Sequence, residues 1–200
     1  MDKNVVLITG GSSGIGYESA ILFAKNGYKV YTAARRLEKM NKLKEFGITP
    51  IFLDVTDDDI CKNCIDEIIK KEGKIDILIN NAGYGSYGPI EMVELEEGKK
   101  QLDVNLSGIV RIVKLIIPYM RKQKSGRIIN ISSAGGRVTT YLGGWYHISK
   151  YAVEALTDSL RMELKEFNID LVLIEPGAIK SEWGEITANH LEKARKKISL

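Results

Sequence analysis

Short apolar segments rich in β-branched residues alternate along the chain with longer segments whose apolar positions have helical spacing. The segments predicted as strands are 5–9, 29–33, 49–54, 75–80, 127–131 and 170–175. The segments predicted as helices are 14–26, 37–46, 57–72, 95–121 and 146–167. The strands are nearly continuous hydrophobic runs, which is typical of parallel strands covered by helices on both faces. The pattern therefore predicts an α/β fold, a doubly wound parallel sheet of the Rossmann type in a single domain.

Composition and charge exclude several classes of protein. The 200 residues are 44% hydrophobic and 28% charged, as expected of a globular domain. Because 29 Lys and Arg stand against 26 Asp and Glu, the net charge is only +3, and we expect no nucleic-acid partner. No apolar run approaches the roughly 20 residues that span a bilayer, and the first residues lack the pattern of a secretory signal. We expect no membrane association and a cytoplasmic location.

Two cysteines, Cys61 and Cys64, form a C-x-x-C inside the predicted helix 57–72. A tetrahedral zinc site needs four ligands, and the other candidates are His147 and His190. A redox-active pair is expected at the start of a helix, where the helix dipole lowers the thiol pKa. We therefore predict no metal site and interpret the cysteines as small, semi-buried helix residues.

A glycine-rich turn follows the first predicted strand and leads directly into the first predicted helix. Glycines permit a tight turn and let the backbone approach a pyrophosphate, whose charge the free N–H groups and the helix dipole stabilise. The same turn taken alone is also compatible with a purely structural role. The residues predicted to bind a nucleotide here are Gly10, Ser12, Ser13, Gly14, Ile15 and Gly16.

The end of the second predicted strand indicates which nucleotide is preferred. In nicotinamide-binding sheets an acidic residue at this place binds the ribose 2′-hydroxyl, whereas an arginine accommodates a 2′-phosphate. Ala34 stands where the acid would be, and Arg35 and Arg36 follow it. These residues favour NADP over NAD, the alternative being two solvated arginines at the start of a helix.

Candidate chemistry comes from a tyrosine and a lysine in the predicted helix 146–167. Tyr146 and Lys150 are four residues apart and share one helix face. An ammonium beside a phenol stabilises the phenolate, so Lys150 and a positively charged nicotinamide ring together are expected to bring the Tyr146 pKa from about 10 toward working pH. Such a pair is common by chance, but Ser133 lies at the carboxyl end of the fifth predicted strand, where ligand clefts of these sheets open.

In this combination the sequence closely resembles the short-chain dehydrogenase/reductase family, in the branch with a Thr-Gly-x-x-x-Gly-x-Gly turn. The match covers residues 5–183. By this resemblance Asp54 and Val55 contact the adenine, and Ile179 and Ser181 hold the nicotinamide carboxamide, with Ser181 in place of a more usual threonine. The remaining cofactor-binding residues that it implies are Asn81, Ala82, Gly83, Tyr146, Lys150, Pro176 and Gly177.

The resemblance also implies the reaction. Hydride transfer between NADP(H) and a small-molecule carbonyl or secondary alcohol is expected. Ser133 would orient the substrate oxygen, Tyr146 would pass the proton, and Lys150 would lower the Tyr146 pKa and hold the nicotinamide ribose. Asn105 would support a proton-relay water and complete the catalytic set. The alternative is a non-catalytic NADP-binding regulatory protein, against which the complete set argues.

Two expectations concern the whole molecule. The predicted helix around Asn105 is apolar on several sides, so we expect a homodimer or homotetramer formed through it. Family members continue with a substrate-covering segment, a seventh strand and a final helix, whereas the sequence ends at Leu200. Residues 1–200 are therefore expected to form a single Rossmann-type, NADP-binding catalytic domain that lacks its C-terminal strand and helix.

Overall fold

The computed structural model describes residues 3–179 and Glu192. Its strands are β1 (Val5–Thr9), β2 (Lys29–Ala34), β3 (Thr49–Phe52), β4 (Ile77–Asn80), β5 (Gly126–Ile131) and β6 (Ile169–Ile174). They form one sheet in the order β3-β2-β1-β4-β5-β6, and each neighbouring pair is parallel. The predicted doubly wound α/β fold is confirmed.

Helices connect the strands and cover the sheet. They are α1 (Gly14–Lys25), α2 (Leu37–Met40), α3 (Asp58–Glu72), α4 (Leu95–Leu102), α5 (Gly108–Gln123) and α6 (Gly144–Leu164). The predicted helix 37–46 is a single α-helical turn followed by the 3₁₀ segment Asn41–Phe46, which ends at Gly47 in the left-handed conformation. A glycine adopts that conformation without steric cost, so the chain can turn there into β3.

Alternate residues of the strands point to opposite faces of the sheet and build two cores. In β1, Val5 and Leu7 pack with α3, α5 and α6, whereas Val6 and Ile8 pack with α1 and the segment after β2. All four side chains are at most 1% exposed. The burial of both faces explains why these strands have no polar side in the sequence.

The predicted helix 95–121 is wrong in one detail that affects the site. The segment Asp103–Ser107 between α4 and α5 is a π-helical turn. Arg111 of α5 holds this turn, since its guanidinium donates to Asp103 at 2.7 Å and to Asp58 at 2.6 Å. A π-turn inserts a residue into the helix and rotates the following side chains, and such turns are frequent at functional sites.

Cys61 and Cys64 lie in the first two turns of α3 and face the core, at 0% and 2% exposed. They are buried rather than semi-buried. Burial raises the pKa of the Cys61 thiol to about 11 and that of Cys64 to about 12, so both stay protonated and unreactive at neutral pH.

Within residues 3–179 and Glu192, no group of side chains could hold a metal ion. In the same part of the chain, every helix is too short or too polar to cross a bilayer.

Candidate active site

The order of the strands reverses between β1 and β4, which continue to opposite edges of the sheet. In open parallel sheets the ligand crevice lies at the carboxyl ends of the strands beside such a reversal. The turn after β1, the segment after β4 and the segment after β5 all begin at this edge. The fold therefore brings the sequence-predicted turn and the predicted catalytic residues to one end of the sheet.

The glycine turn is held by the segment that follows β4. The Asn81 side chain donates from Nδ2 to the carbonyls of Thr9 and Gly10, both at 3.1 Å. The Thr9 hydroxyl accepts from the backbone N–H groups of Asn81 and Ala82, also at 3.1 Å. Because these bonds end on the turn itself, Asn81 and Ala82 support the shape of the turn.

Two glycines are required by close approaches at this junction. Gly10 has φ +69°, and a Cβ there would lie 2.8 Å from Ala82 Cα. A Cβ on Gly16 would lie 2.5 Å from Asn81 Nδ2 and 2.7 Å from the Gly10 carbonyl oxygen. Larger residues would push the turn away from β4, so the glycine spacing reflects this packing as well as the approach of a ligand.

The beginning of α1 suits a phosphate. Ser13 stands at the N-cap but makes no side-chain capping bond, and the first turn has no acidic residue. The first N–H groups of the helix therefore have no intrahelical acceptor and face the glycine turn with the positive end of the helix dipole. A pyrophosphate fits this donor set.

The two arginines after β2 lie at the same edge. Arg36 donates from Nη2 to the Ser12 and Ser13 hydroxyls at 3.0 and 3.1 Å, so its guanidinium stands beside the glycine turn. Arg35 is exposed. Asp54 is partly buried, which raises its pKa, but the bonds from Thr56 and the charge of Arg35 outweigh this and hold that pKa below its usual value.

Val55 is the neighbour of Asp54 and packs on the helix that follows the π-turn. It is 8% exposed. A Cβ on Gly108 would lie 2.8 Å from Val55 Cγ2, and Arg111 donates to the Val55 carbonyl at 3.3 Å. The resemblance implies that the loop at Asp54 and Val55 contacts the adenine. Contacts with Gly108 and Arg111 of α5 hold this loop in place.

Ser133, Tyr146 and Lys150 come together between β5 and α6. Tyr146 and Lys150 are 6% and 7% exposed. A hydrogen bond joins the Ser133 and Tyr146 side chains, and Lys150 Nζ donates to the Ile131 carbonyl at 2.8 Å. The Ser133 hydroxyl also accepts from the Gly135 N–H at 3.0 Å, which fixes its rotamer. The structure therefore brings the three residues together.

The electrostatics of this group differ from the expectation for Tyr146. Burial raises the pKa of Tyr146 above its usual value, and the hydrogen bond from Ser133 lowers it only in part. Burial also lowers the pKa of Lys150 to about 8. The Lys150 ammonium lies 5.9 Å from the centre of the Tyr146 ring and is bonded to Ile131 instead of the phenol. In the protein alone Lys150 does not lower the Tyr146 pKa, and the expected effect of the nicotinamide ring stays a prediction.

Asn105 lies in the π-turn and is 1% exposed. Its side chain donates to the Tyr84 carbonyl at 2.8 Å and to Ser149 Oγ at 3.0 Å, and accepts from the Tyr84 N–H at 2.9 Å. A Cβ on Gly83 would lie 3.1 Å from Asn105 Oδ1 and 3.9 Å from Lys150 Nζ. Because Gly83 has no side chain, the Asn105 amide and the Lys150 ammonium face the same small space.

Comparison with known proteins identifies this arrangement. The family model for short chain dehydrogenase matches residues 4–191. The chain belongs to the short-chain dehydrogenase family. A curated relative, the probable short-chain type dehydrogenase/reductase VdlC of Helicobacter pylori, is 41% identical over 179 residues, which cover 90% of this chain and 66% of the relative. The chain thus spans just under two thirds of the length of that relative.

Two solved structures of this family superpose closely. A metagenomic short-chain oxidoreductase in complex with NADP has a TM-score of 0.84 and 29% identity, over 88% of this chain and 83% of that one. The 3-ketoacyl-(acyl-carrier-protein) reductase of Brucella melitensis, complexed with NADH, has a TM-score of 0.89 and 28% identity, over 94% and 81%. The fold accommodates either nicotinamide cofactor.

A histidine that the motifs do not use connects the catalytic elements of this short-chain dehydrogenase. His147 is 4% exposed. Its Nε2 accepts from the Thr140 N–H at 2.8 Å, and its Nδ1 lies 2.8 Å from the Gly135 carbonyl, to which it donates. His147 therefore ties the loop between Ser133 and Tyr146 to α6, a packing role that sequence spacing alone does not reveal.

The loop 84–89 reaches the residues around Tyr146, because the Tyr87 ring packs on the Tyr146 ring with 5.6 Å between their centres. An open cleft of about 460 Å³ lies at the end of this loop. It is lined by Gly88, Pro89, Ile90, Glu91, Met92, Thr140, Tyr141, Leu142 and Gly144.

The last predicted cofactor residues follow β6. The Pro176 carbonyl accepts from the Ala134 N–H at 2.9 Å, so this segment of the short-chain dehydrogenase is joined to the loop that carries Ser133. Gly177 and Ile179 are exposed, Ile179 at 52%. Ser181, the second residue expected at the nicotinamide carboxamide, lies outside the described residues.

Proposed function

We propose that the protein transfers a hydride between NADP(H) and a carbonyl or secondary alcohol substrate. The observation that carries this proposal is the hydrogen-bonded Ser133–Tyr146 pair, which lies beside the buried Lys150 at the sheet edge that carries the glycine turn. A nucleotide bound on that turn and a substrate in the cleft would meet at the two hydroxyls. The membership of the short-chain dehydrogenase family supports oxidoreductase chemistry over the non-catalytic alternative.

The roles of the residues follow from their contacts. NADP(H), when bound, supplies or takes up the hydride. Ser133 and Tyr146 present two hydroxyls to one substrate oxygen, which fixes its position relative to the reacting carbon. Lys150 contributes a positive charge in a water-poor site, where it stabilises negative charge that develops on the Tyr146 oxygen. Asn105 faces the space next to Lys150 and suits a relay of protons to solvent.

The Tyr146 phenol is suited to donate a proton to a substrate carbonyl. Because burial raises the pKa of Tyr146, its phenol keeps its proton at neutral pH. A protonated phenol can donate to the oxygen of a carbonyl that receives a hydride, whereas oxidation of an alcohol needs the phenolate as a base. The protein alone is therefore in the protonation state that reduction requires.

The preference for NADP rests on charge. Arg36 stands beside the turn, Arg35 is exposed at the same edge, and Ala34 presents no carboxylate that would repel a 2′-phosphate.

We also propose that residues 1–200 act as one catalytic domain and that the protein is a homodimer or homotetramer. A cytoplasmic location stays a prediction from the sequence.

The test is oxidation of NADPH in the presence of ketones, aldehydes, steroids and acyl-thioester ketones, with Ser133→Ala as the site variant. Ser159→Ala is the matched control, because Ser159 is an exposed serine on α6 whose hydroxyl bonds to the Ala155 carbonyl of its own helix. We expect turnover of at least one carbonyl class by the wild type and the control, and a loss of about 10²-fold in kcat/KM for Ser133→Ala. Equal activity of the two variants would contradict the role of Ser133.

A further inference from the structure

A buried carboxylate lies close to the catalytic residues but belongs to none of the family motifs. Glu154 is in α6, one turn after Lys150, and is 5% exposed. Ionised side chains are rarely buried to this degree unless specific partners compensate for the loss of water. The partners of this carboxylate therefore indicate what it does for the site.

Glu154 has polar partners in the loop after β5 and in the segment after β6, where a hydrogen bond joins it to the Glu175 carboxyl. The Ser132 hydroxyl donates to Oε1, and Arg137 Nη2 lies 2.8 Å from Oε2. Arg137 also reaches Glu175 Oε1 at 3.0 Å, so its guanidinium lies between two carboxylates. A Cβ on Gly136 would lie 2.7 Å from Glu154 Oε1, so the backbone of the loop passes directly over the carboxylate.

Through Ser132, Glu154 controls the segment that makes the catalytic contacts. Ser132 is 3% exposed and stands between Ile131, whose carbonyl accepts from Lys150, and Ser133, whose side chain bonds Tyr146. The Ser132 N–H is bonded to the Ile174 carbonyl at 2.8 Å, and its hydroxyl ties this segment to α6. The tie lies between the Lys150–Ile131 bond and the Ser133–Tyr146 bond along the segment.

The negative charge of Glu154 also affects Lys150, because it favours the ammonium form. The ionisable groups around it are Arg137 and Glu175 from the neighbouring segments, and Lys150 from its own helix, with Tyr146 one turn further. Burial of Lys150 disfavours the ammonium, and the negative charge of Glu154 opposes that effect. Burial raises the pKa of Glu154, as do the charge of Glu175 and its hydrogen bond to Glu154, whereas the Ser132 hydroxyl and the charge of Arg137 oppose this rise.

We propose that Glu154 is a positioning residue of the active site, which keeps Lys150 charged and bonded to the Ile131 carbonyl through its tie to Ser132. The inference rests on the role that the proposed function gives to Lys150. Its test, however, needs neither substrate nor cofactor, because it measures the protonation of Lys150 in the protein alone. A failure of turnover and a failure of this inference can therefore be distinguished.

The experiment is an NMR titration of the lysine side chains labelled with ¹³C at Cε, with the Lys150 resonance assigned by its loss in Lys150→Arg. The variants are Glu154→Gln, which keeps the volume and removes the charge, and Ser132→Ala, which keeps the charge and removes the tie. Asp158→Asn is the matched control, since Asp158 is an exposed carboxylate one turn further along α6. Melting temperatures and amide spectra establish that each variant is folded.

In the wild type and in Asp158→Asn, Lys150 is expected to titrate with a pKa of about 8. In Glu154→Gln this pKa should fall by about one pH unit, a roughly tenfold loss of the ammonium above neutral pH. Ser132→Ala should lower it in the same direction and remains the test if Glu154→Gln does not fold. A Lys150 pKa in Glu154→Gln equal to that of the control would overturn the proposal. If the Lys150 pKa shifts in Glu154→Gln but not in Ser132→Ala, the proposal that Glu154 acts through its bond to Ser132 is overturned.

Discussion

At the scale of single residues, the proposed chemistry depends on the phenol of Tyr146. Replacing Tyr146 by Phe keeps the ring, which packs against Tyr87, and removes only the transferable proton. We expect NADPH binding to change by less than about threefold and the turnover of a carbonyl to fall by about 10³-fold or more. Calorimetry and steady-state kinetics measure the two effects.

The control for this prediction is Tyr28→Phe, in the connection between α1 and β2, where the tyrosine ring packs on Phe23. This variant should match the wild type in both measurements. Turnover by Tyr146→Phe at a rate near that of Tyr28→Phe would show that another group supplies the proton.

The buried ammonium of Lys150 lowers the free energy of unfolding of the protein. Burial lowers its pKa from 10.5 to about 8, so the folded protein holds the proton less tightly than the unfolded chain. This penalty is complete below pH 8, shrinks as the pH rises toward 10.5 and is then absent. Since one pKa unit corresponds to about 1.4 kcal/mol, the penalty at neutral pH is at most about 3 kcal/mol.

Lys150→Met should therefore be inactive yet more stable than the wild type at pH 7, by about 1 to 3 kcal/mol. The gain should disappear as the pH approaches 10.5. Urea unfolding at several pH values tests this expectation. A variant that is less stable than the wild type at pH 7 would mean that the ammonium contributes more through its bond to the Ile131 carbonyl than it loses on burial.

At the scale of elements, the junction of β1, α1 and β4 is the most constrained part of the cofactor site. Gly16→Ala would place a methyl group 2.5 Å from Asn81 Nδ2, so the turn or β4 must move. We expect a loss of about 1 to 3 kcal/mol in the free energy of unfolding, as for other overpacked sites. NADPH affinity should fall by about tenfold or more, because the N–H groups of α1 shift with the turn.

Glu18→Ala is the control for this substitution, because Glu18 lies on the exposed face of the same helix. It should leave both quantities near their wild-type values. Chemical unfolding and calorimetric titration compare the two variants. An unchanged NADPH affinity in Gly16→Ala would show that the turn does not hold the pyrophosphate.

The end of β2 is the element that we expect to determine the choice between the two cofactors. Arg35→Asp introduces a carboxylate that can bind a ribose 2′-hydroxyl and repels a 2′-phosphate. The preference for NADP(H) over NAD(H) should reverse, with a loss of about 1.5 to 3 kcal/mol in NADPH binding. Lys42→Asp, an exposed position with the same change of charge, should keep the preference. Equal affinities of the wild type for the two cofactors would contradict the role of the arginines.

The elements that the sequence predicts well are those whose signal is local. The apolar runs of the strands, the glycine turn and the spacing of Tyr146 and Lys150 need only neighbouring residues. The π-turn at Asp103–Ser107 escapes such reasoning, because apolar residues continue through it at helical spacing and its support comes from Arg111.

Contacts between distant residues are the other part that the sequence does not reveal. The bond between Ser132 and Glu154 joins residues 22 apart, and the tie from His147 to the Gly135 carbonyl crosses a loop. Burial likewise raises the pKa of Tyr146 in the protein alone, and the spacing to Lys150 does not show how deeply the phenol lies. Such properties depend on tertiary packing, which a local pattern cannot encode.

At the scale of the whole molecule, the parallel sheet brings the glycine turn, which we propose binds phosphate, and the Tyr146 phenol, which we propose donates a proton, to one edge. The two functions come from the first and last thirds of the chain and meet because β1, β4 and β5 are neighbours. We therefore expect that substitutions can separate cofactor binding from proton transfer, although both depend on the same sheet. The central claim is that hydride passes directly from the nicotinamide to a substrate carbonyl at this edge of the sheet.

The most direct test uses NADPH deuterated at the nicotinamide C4 position, with each face labelled in a separate experiment, and mass spectrometry of the products from the carbonyl panel. Direct transfer predicts that the wild-type protein delivers deuterium from one face to the carbonyl carbon of a substrate, and that Tyr146→Phe, although it binds NADPH, delivers almost none. A wild-type protein that binds NADPH but delivers no deuterium to any carbonyl of the panel would contradict this claim.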